Sequence, residues 1–228
     1  MAPGRVITTV ARVFRKGAGD AGPPPTSASG LRELMSSRSL DEAAERLTTE
    51  PIDAICFAST SAAYAIGYDD EVGTLSRLER HVGMSVVGTC ASAVSALRLL
   101  DVEQIALVHP PWFSAELNEL GKAYFQRQGL KVVTSASADL SLDPRRIVTN
   151  DVVAWTALHI EDDAEAVFIG GNGFRAAGAI EPLERTLGRP VLESNQVLLW
   201  NTLARRDAAF PTEGYGQLLT RAIESRNR

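Results

Sequence analysis

From residue 52 onward, short apolar runs alternate with segments of helical length, and this alternation constrains the fold more than any other feature. Such runs are typical of strands buried on both faces of a parallel sheet. Strands that alternate with helices predict a parallel sheet covered by helices on both faces. The predicted strands are residues 52–57, 84–88, 104–109, 130–134, 165–170 and 190–193. The predicted helices are residues 70–82, 90–100, 114–128, 150–160 and 175–187, with a last helical region that starts near Gln196 and is interrupted around Pro211.

The segment before residue 52 is less regular. Residues 6–14 (VITTVARVF) alternate and are rich in β-branched side chains, which predicts a strand. Residues 17–30 contain prolines and glycines that disfavour both helices and strand ladders, so they are predicted as a loop. Residues 31–48 carry apolar side chains at helical spacing and are predicted as helix.

The ends of the predicted strands are the places to look for chemistry, because ligands of parallel α/β sheets bind beyond the carboxyl ends of the strands. After Phe57 come Ser59, Thr60 and Ser61, with Tyr64 close behind. Hydroxyl groups and free N–H groups at a helix start suit a carboxylate or a phosphate. The alternative is that these side chains only cap the next helix.

Two other strand ends carry one candidate residue each. Cys90 follows the strand at 84–88, and a cysteine at a helix start can have a lowered pKa and act as a base or a nucleophile. The alternative for Cys90 is a small side chain packed under the helix. Asn195 follows the strand at 190–193, where it could bind a substrate or cap a helix, and the sequence favours neither role.

A glycine-rich run, Gly-Gly-Asn-Gly at residues 170–173, follows the strand at 165–170 and leads into Phe174 and Arg175. Glycine lets the backbone approach a ligand, and its N–H groups can form an anion nest or an oxyanion hole. The alternative is a tight turn between strand and helix. The spacing fits neither the dinucleotide-binding fingerprint nor a Walker loop. We favour a binding role, in which Arg175 could also offset substrate charge.

Composition excludes several classes of protein. A net charge of -5 argues against a nucleic-acid binder, and no stretch is long and apolar enough to predict a membrane span. No apolar segment follows the basic N-terminal residues, so no secretory signal is predicted. Two cysteines are too few for a disulfide scaffold and indicate reduced thiols in the cytoplasm. The three scattered histidines and the lack of a C-x-x-C pair predict no metal site.

Taken in order, the strand ends resemble the aspartate/glutamate racemase superfamily, on the branch of maleate cis-trans isomerases and arylmalonate decarboxylases. The resemblance covers about residues 52–203. It implies two Rossmann-like α/β lobes with an active-site cleft between them, formed here by residues 1–100 plus 194–228 and by residues 101–193. The segments that carry it are IDAICFASTSAAYAIG, VVGTCASAVSALRLL, IALVHPPWFSAELNELG and AVFIGGNGFRAAGAIEPLERTLGRPVLESNQVLLW.

The resemblance also implies a chemistry. Racemases and isomerases of the family use one cysteine from each lobe, decarboxylases keep only the second, and all proceed through a carbanion or enediolate without cofactor or metal. The first cysteine position corresponds to Ser59 here and the second to Gly171. A serine is a poor base unless another group activates it, and glycine has no side chain, so two-base racemisation is not expected.

A second departure from the family concerns the N-terminus. Members of the family open with a strand that is central in the first sheet, whereas this chain resembles them only from the second strand, near residues 5–14. We therefore expect that the first lobe lacks that strand. Either the start has been assigned too late, or the chain is truncated, or another element fills the gap.

The sequence thus predicts a cofactor-independent isomerase, racemase or decarboxylase that acts on a small carboxylate through an enolate or carbanion. The alternatives are a carboxylate-binding or regulatory protein that has lost catalysis, and a hydrolase with Ser59 as nucleophile, for which no base is evident. An apolar helical surface at residues 197–200 could be core or could form a homo-oligomer interface. The predicted catalytic residues are Ser59 and Cys90, and the predicted substrate-binding residues are Thr60, Ser61, Tyr64, Gly171, Asn172, Gly173, Phe174 and Asn195.

Overall fold

The computed structural model describes residues 1, 4–13 and 26–224, and for residues 221–224 it describes the backbone alone. The strands within these residues are β1 (Ile55–Phe57), β2 (Val86–Gly88), β3 (Gln104–His109), β4 (Lys131–Ser137), β5 (Ala166–Ile169) and β6 (Val191–Glu193). The helices are α1 (Ala28–Met35), α2 (Arg38–Leu47), α3 (Thr60–Ile66), α4 (Tyr68–Val82), α5 (Thr89–Leu99), α6 (Ala115–Gln126), α7 (Thr149–His159), α8 (Ile180–Leu187), α9 (Ser194–Arg205) and α10 (Gln217–Glu224). None of these helices combines the length and the apolar character that crossing a bilayer requires.

The strands form two parallel sheets. β1 pairs with β2 in one, and Phe57 lies opposite Gly88 at its carboxyl edge. The other has the strand order β4-β3-β5-β6, and Ile169 lies opposite Glu193 at its carboxyl edge. The predicted class, α/β with parallel sheets flanked by helices, is confirmed. Each sheet therefore presents its strand ends, and the helices that start there, on one side.

The core lies on both faces of the larger sheet, as the central strand β3 illustrates. Successive side chains of a strand point to opposite faces. Ile105 and Leu107 belong to the larger buried cluster, whereas Ala106 and Val108 belong to the second one. All four side chains are fully buried. This explains why the run reads as continuously apolar in the sequence rather than as an alternation.

The prediction of a strand at residues 6–14 is wrong for residues 6–13, and Phe14 lies outside the described residues. Residues 6–13 form no ladder, and Ile7 and Val10 are 98% and 80% exposed. β-branched side chains favour an extended backbone, but a strand also needs a neighbour for its N–H and C=O groups. Neither sheet provides one for this segment.

The loop predicted at residues 17–30 is only partly described. Residues 17–25 lie outside the described residues, and α1 already begins within the predicted loop, at Ala28. The helix predicted at 31–48 is two helices, α1 and α2. The hydroxyl groups of Ser36 and Ser37 donate to carbonyl groups of the last turn of α1, at 3.1 and 2.7 Å. Such bonds satisfy the helix end and let the chain turn before α2.

Candidate active site at Thr60 and Asn172

Thr60 and Asn172, which follow strands of different sheets, are in direct contact. The backbone N–H of Thr60 donates to the side-chain oxygen of Asn172 at 3.2 Å. The Thr60 hydroxyl donates to the same oxygen, also at 3.2 Å. The backbone N–H of Gly171 in turn donates to the Thr60 hydroxyl oxygen at 3.0 Å. The predicted hydroxyl segment and the predicted glycine turn therefore lie together, with two donors of Thr60 aimed at one oxygen.

The amide group of Asn172 also has partners for its nitrogen. The Nδ2 atom donates to the Thr89 hydroxyl at 3.2 Å and to the side-chain oxygen of Asn195 at 3.1 Å. The Asn195 amide nitrogen donates back to the backbone carbonyl of Asn172 at 3.0 Å. Thr60, Thr89, Asn172 and Asn195 thus form one hydrogen-bonded network, which we call the threonine–asparagine network.

Glycine is required where the turn approaches α3. Gly171 has φ of +92°, and a Cβ built on it would lie 2.8 Å from Pro110 Cγ. A Cβ on Gly170 would lie 3.2 Å from the Thr60 methyl group and 3.3 Å from the Tyr64 hydroxyl. Both residues therefore allow a close backbone approach, and Gly171 also adopts a conformation that other residues rarely tolerate. The tight-turn interpretation and the binding interpretation are both compatible with this geometry.

The buried side chain of Glu193 positions Asn195, a member of the network. Glu193 caps α9, accepting from the backbone N–H groups of Asn195 and Gln196 at 2.9 and 3.1 Å. Its other oxygen accepts from the Asn195 amide at 3.0 Å, which fixes the side chain that bonds to Asn172. Burial raises the pKa of Glu193 to about 7, although these three hydrogen bonds act to lower it. Glu193 rather than Asn195 therefore caps α9, and the Asn195 side chain bonds to Asn172 in the network.

Ser194, which lies next to Glu193, is also part of this environment. Its hydroxyl lies 3.0 Å from the Thr60 hydroxyl and donates to the backbone carbonyl of Ile169 at 3.2 Å. Sequence reasoning did not select Thr89, Glu193 or Ser194. All three stand at or directly after a strand end, so the rule that selected Thr60 could have found them.

Three predicted site residues are core residues in the structure. Cys90, Tyr64 and Phe174 are at most 1% exposed. Burial, with a contribution from Glu71, holds the pKa of Cys90 well above its usual value, and its thiol donates to the Thr60 carbonyl at 3.8 Å. A buried protonated thiol is neither base nor nucleophile, and its proton is directed at the Thr60 carbonyl, so we do not assign Cys90 either role. It matches the alternative of a small residue packed under a helix.

Tyr64 and Phe174 support the site from within the core. The Tyr64 hydroxyl lies 3.3 Å from His109 Nε2, and burial lowers the pKa of His109 to about 4. Phe174 packs edge-on against Trp112, with ring centroids 6.1 Å apart. Among the described residues, the hydrogen bond of Tyr64 and the ring contact of Phe174 go to residues outside the threonine–asparagine network.

The remaining predicted residues border the network. Ser59 is half-buried and accepts from the backbone N–H of Ala62 at 3.3 Å, so its oxygen caps α3. Ser61 is half-buried, and Gly173 is exposed beside Trp112. Arg175 is exposed and has φ of +60°. These residues form the solvent-facing edge of the site.

The structure argues against the hydrolase alternative. All three histidines have partners away from Ser59: His81 pairs with Glu45 at 2.7 Å, and His159 bonds to the carbonyl of Trp155 at 2.7 Å. His109 is buried against Tyr64. A serine nucleophile needs a base within hydrogen-bond reach, and none contacts Ser59 among the described residues.

Two cavities lie away from the network. One of about 600 Å³ is bordered by α1 and α4, and another of about 170 Å³ lies among α4, β2, α5 and α9. Neither is lined by a member of the threonine–asparagine network. Within the described part of the chain, no three His, Cys, Asp or Glu side chains are grouped as they would be around a metal ion.

Comparison with known proteins gives a family match and several structural neighbours. A family model described as arylmalonate decarboxylase matches residues 28–219. A maleate isomerase from Pseudomonas putida S16 aligns with a TM-score of 0.79 at 20% identity, over 86% of this chain and 81% of that chain. An arylmalonate decarboxylase aligns with a TM-score of 0.75 at 20% identity, over 83% of each chain.

A further neighbour is a variant of a maleate cis-trans isomerase from Nocardia farcinica, determined with a covalently bound succinylcysteine intermediate. It aligns with a TM-score of 0.76 at 21% identity, over 85% of this chain and 81% of that chain. At these identities the structural similarity establishes the fold. No curated protein sequence matches the chain.

Proposed function

We propose that this chain, which belongs to the arylmalonate decarboxylase family, binds a small carboxylate at Thr60 and acts on it as a cofactor-independent decarboxylase. The observation that carries the proposal is the pair of donors on Thr60, N–H and O–H, that meet at one oxygen. An amide oxygen and a carboxylate oxygen accept hydrogen bonds in similar geometry. A carboxylate oxygen accepts about twice as strongly because it is charged.

The donors of Thr60 are held in place before any ligand binds. Gly171 donates to the Thr60 hydroxyl oxygen, which leaves the hydroxyl proton two acceptors within reach, the Asn172 side-chain oxygen at 3.2 Å and Ser194 Oγ at 3.0 Å. Thr60 is only 1% exposed, which weakens competition from water. Preoriented donors in a dry site stabilise charge as it develops, and this is commonly the largest contribution to catalysis.

The reaction that needs least from the protein is loss of carbon dioxide from a malonate-type substrate. The bond between the α-carbon and one carboxylate breaks, carbon dioxide leaves, and the electron pair spreads over the retained carboxylate as an enediolate. The Thr60 donors would stabilise that enediolate. A water molecule then delivers a proton to the α-carbon, and the hydroxide left behind combines with carbon dioxide as bicarbonate.

Water is proposed as the proton donor because the family resemblance assigns Ser59 and Gly171 to the two cysteine positions. Ser59 already accepts from Ala62, and Gly171 has no room for a side chain beside Pro110. The isomerase and racemase alternatives both require a thiol at such a position. With no fixed acid on either face of the enediolate, protonation is not directed and the product is racemic.

The proposal retains the division into two lobes, residues 1–100 plus 194–228 and residues 101–193. It is supported by the separation of β1 and β2 from the four-stranded sheet. On this division Thr60 and Asn195 come from one lobe and Asn172 from the other. The carboxylate would then be held between them.

The test is incubation with phenylmalonate in D₂O, with bicarbonate and phenylacetate measured as products. A prochiral α-methyl phenylmalonate tests the stereochemistry, and we expect deuterium at the α-carbon and equal amounts of both enantiomers. Thr60→Val keeps the β-branched shape but removes the hydroxyl donor, and we expect it to lower the rate at least tenfold. A product of one hand would contradict protonation by water, and equal rates for both proteins would contradict the role of Thr60.

A second candidate, carboxylate binding without turnover, is favoured by one observation. The titratable side chains nearest the network, Cys90, Tyr64, His109 and Glu193, are all buried. A binding protein requires none of them to exchange protons with a ligand. A rise in Tm with phenylmalonate but no product would favour this candidate, because a ligand that binds only the native state raises its stability.

A further inference from the structure

Asn172 uses its entire side chain within the protein. Its oxygen accepts hydrogen bonds from the N–H and the O–H of Thr60 and lies 3.4 Å from the Thr89 hydroxyl, and its nitrogen donates two, to Thr89 and Asn195. An amide has two acceptor positions and two donor hydrogens, so no hydrogen-bonding capacity remains. The donors that would hold a ligand carboxylate are therefore engaged by a neutral oxygen of the chain itself.

The position of Asn172 allows it to leave. The residue is half-buried rather than enclosed, and it stands between Gly171 and Gly173. Gly171 has a backbone conformation reserved for glycine, and Gly173 is exposed. Flanking glycines permit backbone rotations that other residues restrict. We therefore expect the side chain to withdraw from Thr60 by rotations within residues 171–173.

We propose that Asn172 is a specificity-determining residue, whose amide oxygen occupies the carboxylate position at Thr60 and must be displaced by the substrate. The inference rests on the proposed function. A ligand that offers another neutral amide or ester oxygen gains nothing over the oxygen already there. A carboxylate gains a charge-assisted hydrogen bond from each Thr60 donor, and so displaces Asn172. The internal amide thus selects charged acyl groups against neutral ones of the same shape.

The effect on affinity follows from competition. The apparent dissociation constant equals the intrinsic one divided by the fraction of molecules whose Thr60 donors are free. If Asn172 occupies them nine-tenths of the time, its removal tightens binding about tenfold. An ordinary ligand-contacting residue behaves in the opposite way, because its removal weakens binding.

The experiment measures binding of malonate and malonamide by calorimetry at neutral pH, with the full chain and four variants: Asn172→Ala, Asn172→Asp, Asn118→Ala and Thr60→Val. Asn172→Ala removes the competitor, and we expect malonate to bind about tenfold more tightly and malonamide to become detectable. Asn172→Asp introduces an internal carboxylate of the same shape. We expect it to weaken malonate binding at least tenfold, and the side-chain pKa of the new aspartate, followed by NMR, to lie below the ordinary value. Because the two variants move affinity in opposite directions, poor folding of one does not decide the outcome.

The matched control is Asn118→Ala. Asn118 is also a half-buried amide, with two hydrogen bonds to Ser137 and an interaction with the His109 side chain, and it lies outside the threonine–asparagine network. We expect its malonate affinity to equal that of the unmodified chain. Weaker malonate binding by Asn172→Ala, or unchanged affinity in Asn172→Asp, would overturn the inference.

The two proposals fail in different ways. If neither the unmodified chain nor Asn172→Ala binds malonate, the proposed carboxylate site is wrong. If the unmodified chain binds malonate, Thr60→Val loses that binding, and Asn172→Ala does not gain affinity, the site stands and the competition is wrong.

Discussion

Two buried glutamates, Glu193 and Glu71, share a raised pKa but serve different surroundings. Burial raises the pKa of each to about 7. Glu193 accepts hydrogen bonds at both oxygens and holds Asn195 in the threonine–asparagine network. One oxygen of Glu71 accepts from the Tyr124 hydroxyl, and the backbone N–H groups of Ala91 and Cys90 also act to lower its pKa without offsetting burial.

An unusual pKa therefore does not by itself identify a site. Perturbed carboxyl groups also arise where a chain buries polar side chains for structural reasons. Glu71 lies beneath Gly88 and beside the aromatic core, without a hydrogen bond to the network. Glu193 is linked by hydrogen bonds through Asn195 to Asn172, and Glu71 is not. The following predictions test this difference between the two glutamates.

The largest effect is expected at the turn that brings the site together. Gly171→Ala must place a Cβ 2.8 Å from Pro110 Cγ in a backbone with φ of +92°. Steric overlap and an unfavourable backbone conformation together are expected to cost roughly 3 kcal/mol of unfolding free energy. Urea unfolding measures this directly.

The control is Gly173→Ala, whose added Cβ would lie 3.8 Å from Trp112. We expect it to change the unfolding free energy by less than about 0.5 kcal/mol. Equal stability of the two variants would contradict the close approach of the turn to Pro110. Because Gly171→Cys carries the same strain, it is also not expected to create an active thiol.

The next largest effect is a decrease in the free energy of unfolding as pH rises, to which both Glu71 and Glu193 are expected to contribute. Below pH 4.5 each carboxyl is protonated in both the folded and the unfolded chain. Between 4.5 and about 7 the unfolded chain ionises while the folded chain does not, so stability falls, and above about 7 the loss is complete. At about 1.4 kcal/mol for each pKa unit, the contribution of each glutamate is on the order of 3 kcal/mol or less.

Glu71→Gln and Glu193→Gln each remove one ionisable group, and each should flatten the fall in urea-unfolding free energy between pH 4.5 and 7. The comparison is sharpened by malonate binding, which we expect Glu193→Gln to alter through Asn195 and Glu71→Gln to leave unchanged. Equal changes in affinity would remove the distinction between the two glutamates. A stability that rises with pH in this window would contradict the raised pKa values.

The sequence was informative where chemistry depends on strand ends and less so where it depends on packing. The rule that ligands bind beyond parallel strands selected Thr60 and Asn172, and these two residues are in contact. That they would meet required more than the rule, since β1 and β5 belong to different sheets. The family resemblance, with its cleft between two lobes, supplied that expectation.

Burial at the helix starts could not be predicted from the local pattern. Cys90, Tyr64 and Phe174 occupy positions where a side chain could equally face a cleft. Cys90 is enclosed beside Thr60 of α3 and Glu71 of α4, which precede it by 30 and 19 residues. Similarly, the alternation at residues 6–13 could not reveal that no neighbouring strand accepts them. The local sequence pattern predicts the backbone conformation of a segment. The elements that pack against each of its faces are set by other parts of the chain.

Substitution of Cys90 is expected to have the smallest effects on stability, turnover and malonate affinity. Small effects would show that Cys90 is not part of the catalytic site. Cys90 is fully buried with a raised pKa, whereas Cys56 is exposed, with its sulfur 3.1 Å from the Thr202 hydroxyl. A disulfide reagent should therefore modify one thiol per native chain, and two after unfolding.

Cys90→Ala should cost about 1 kcal/mol of stability through lost packing and leave phenylmalonate turnover and malonate affinity unchanged. Because the thiol donates only to the Thr60 carbonyl, its removal leaves the two Thr60 donors in place. Loss of turnover in this variant with unchanged malonate affinity would instead make the thiol the proton donor and predict a product of one hand.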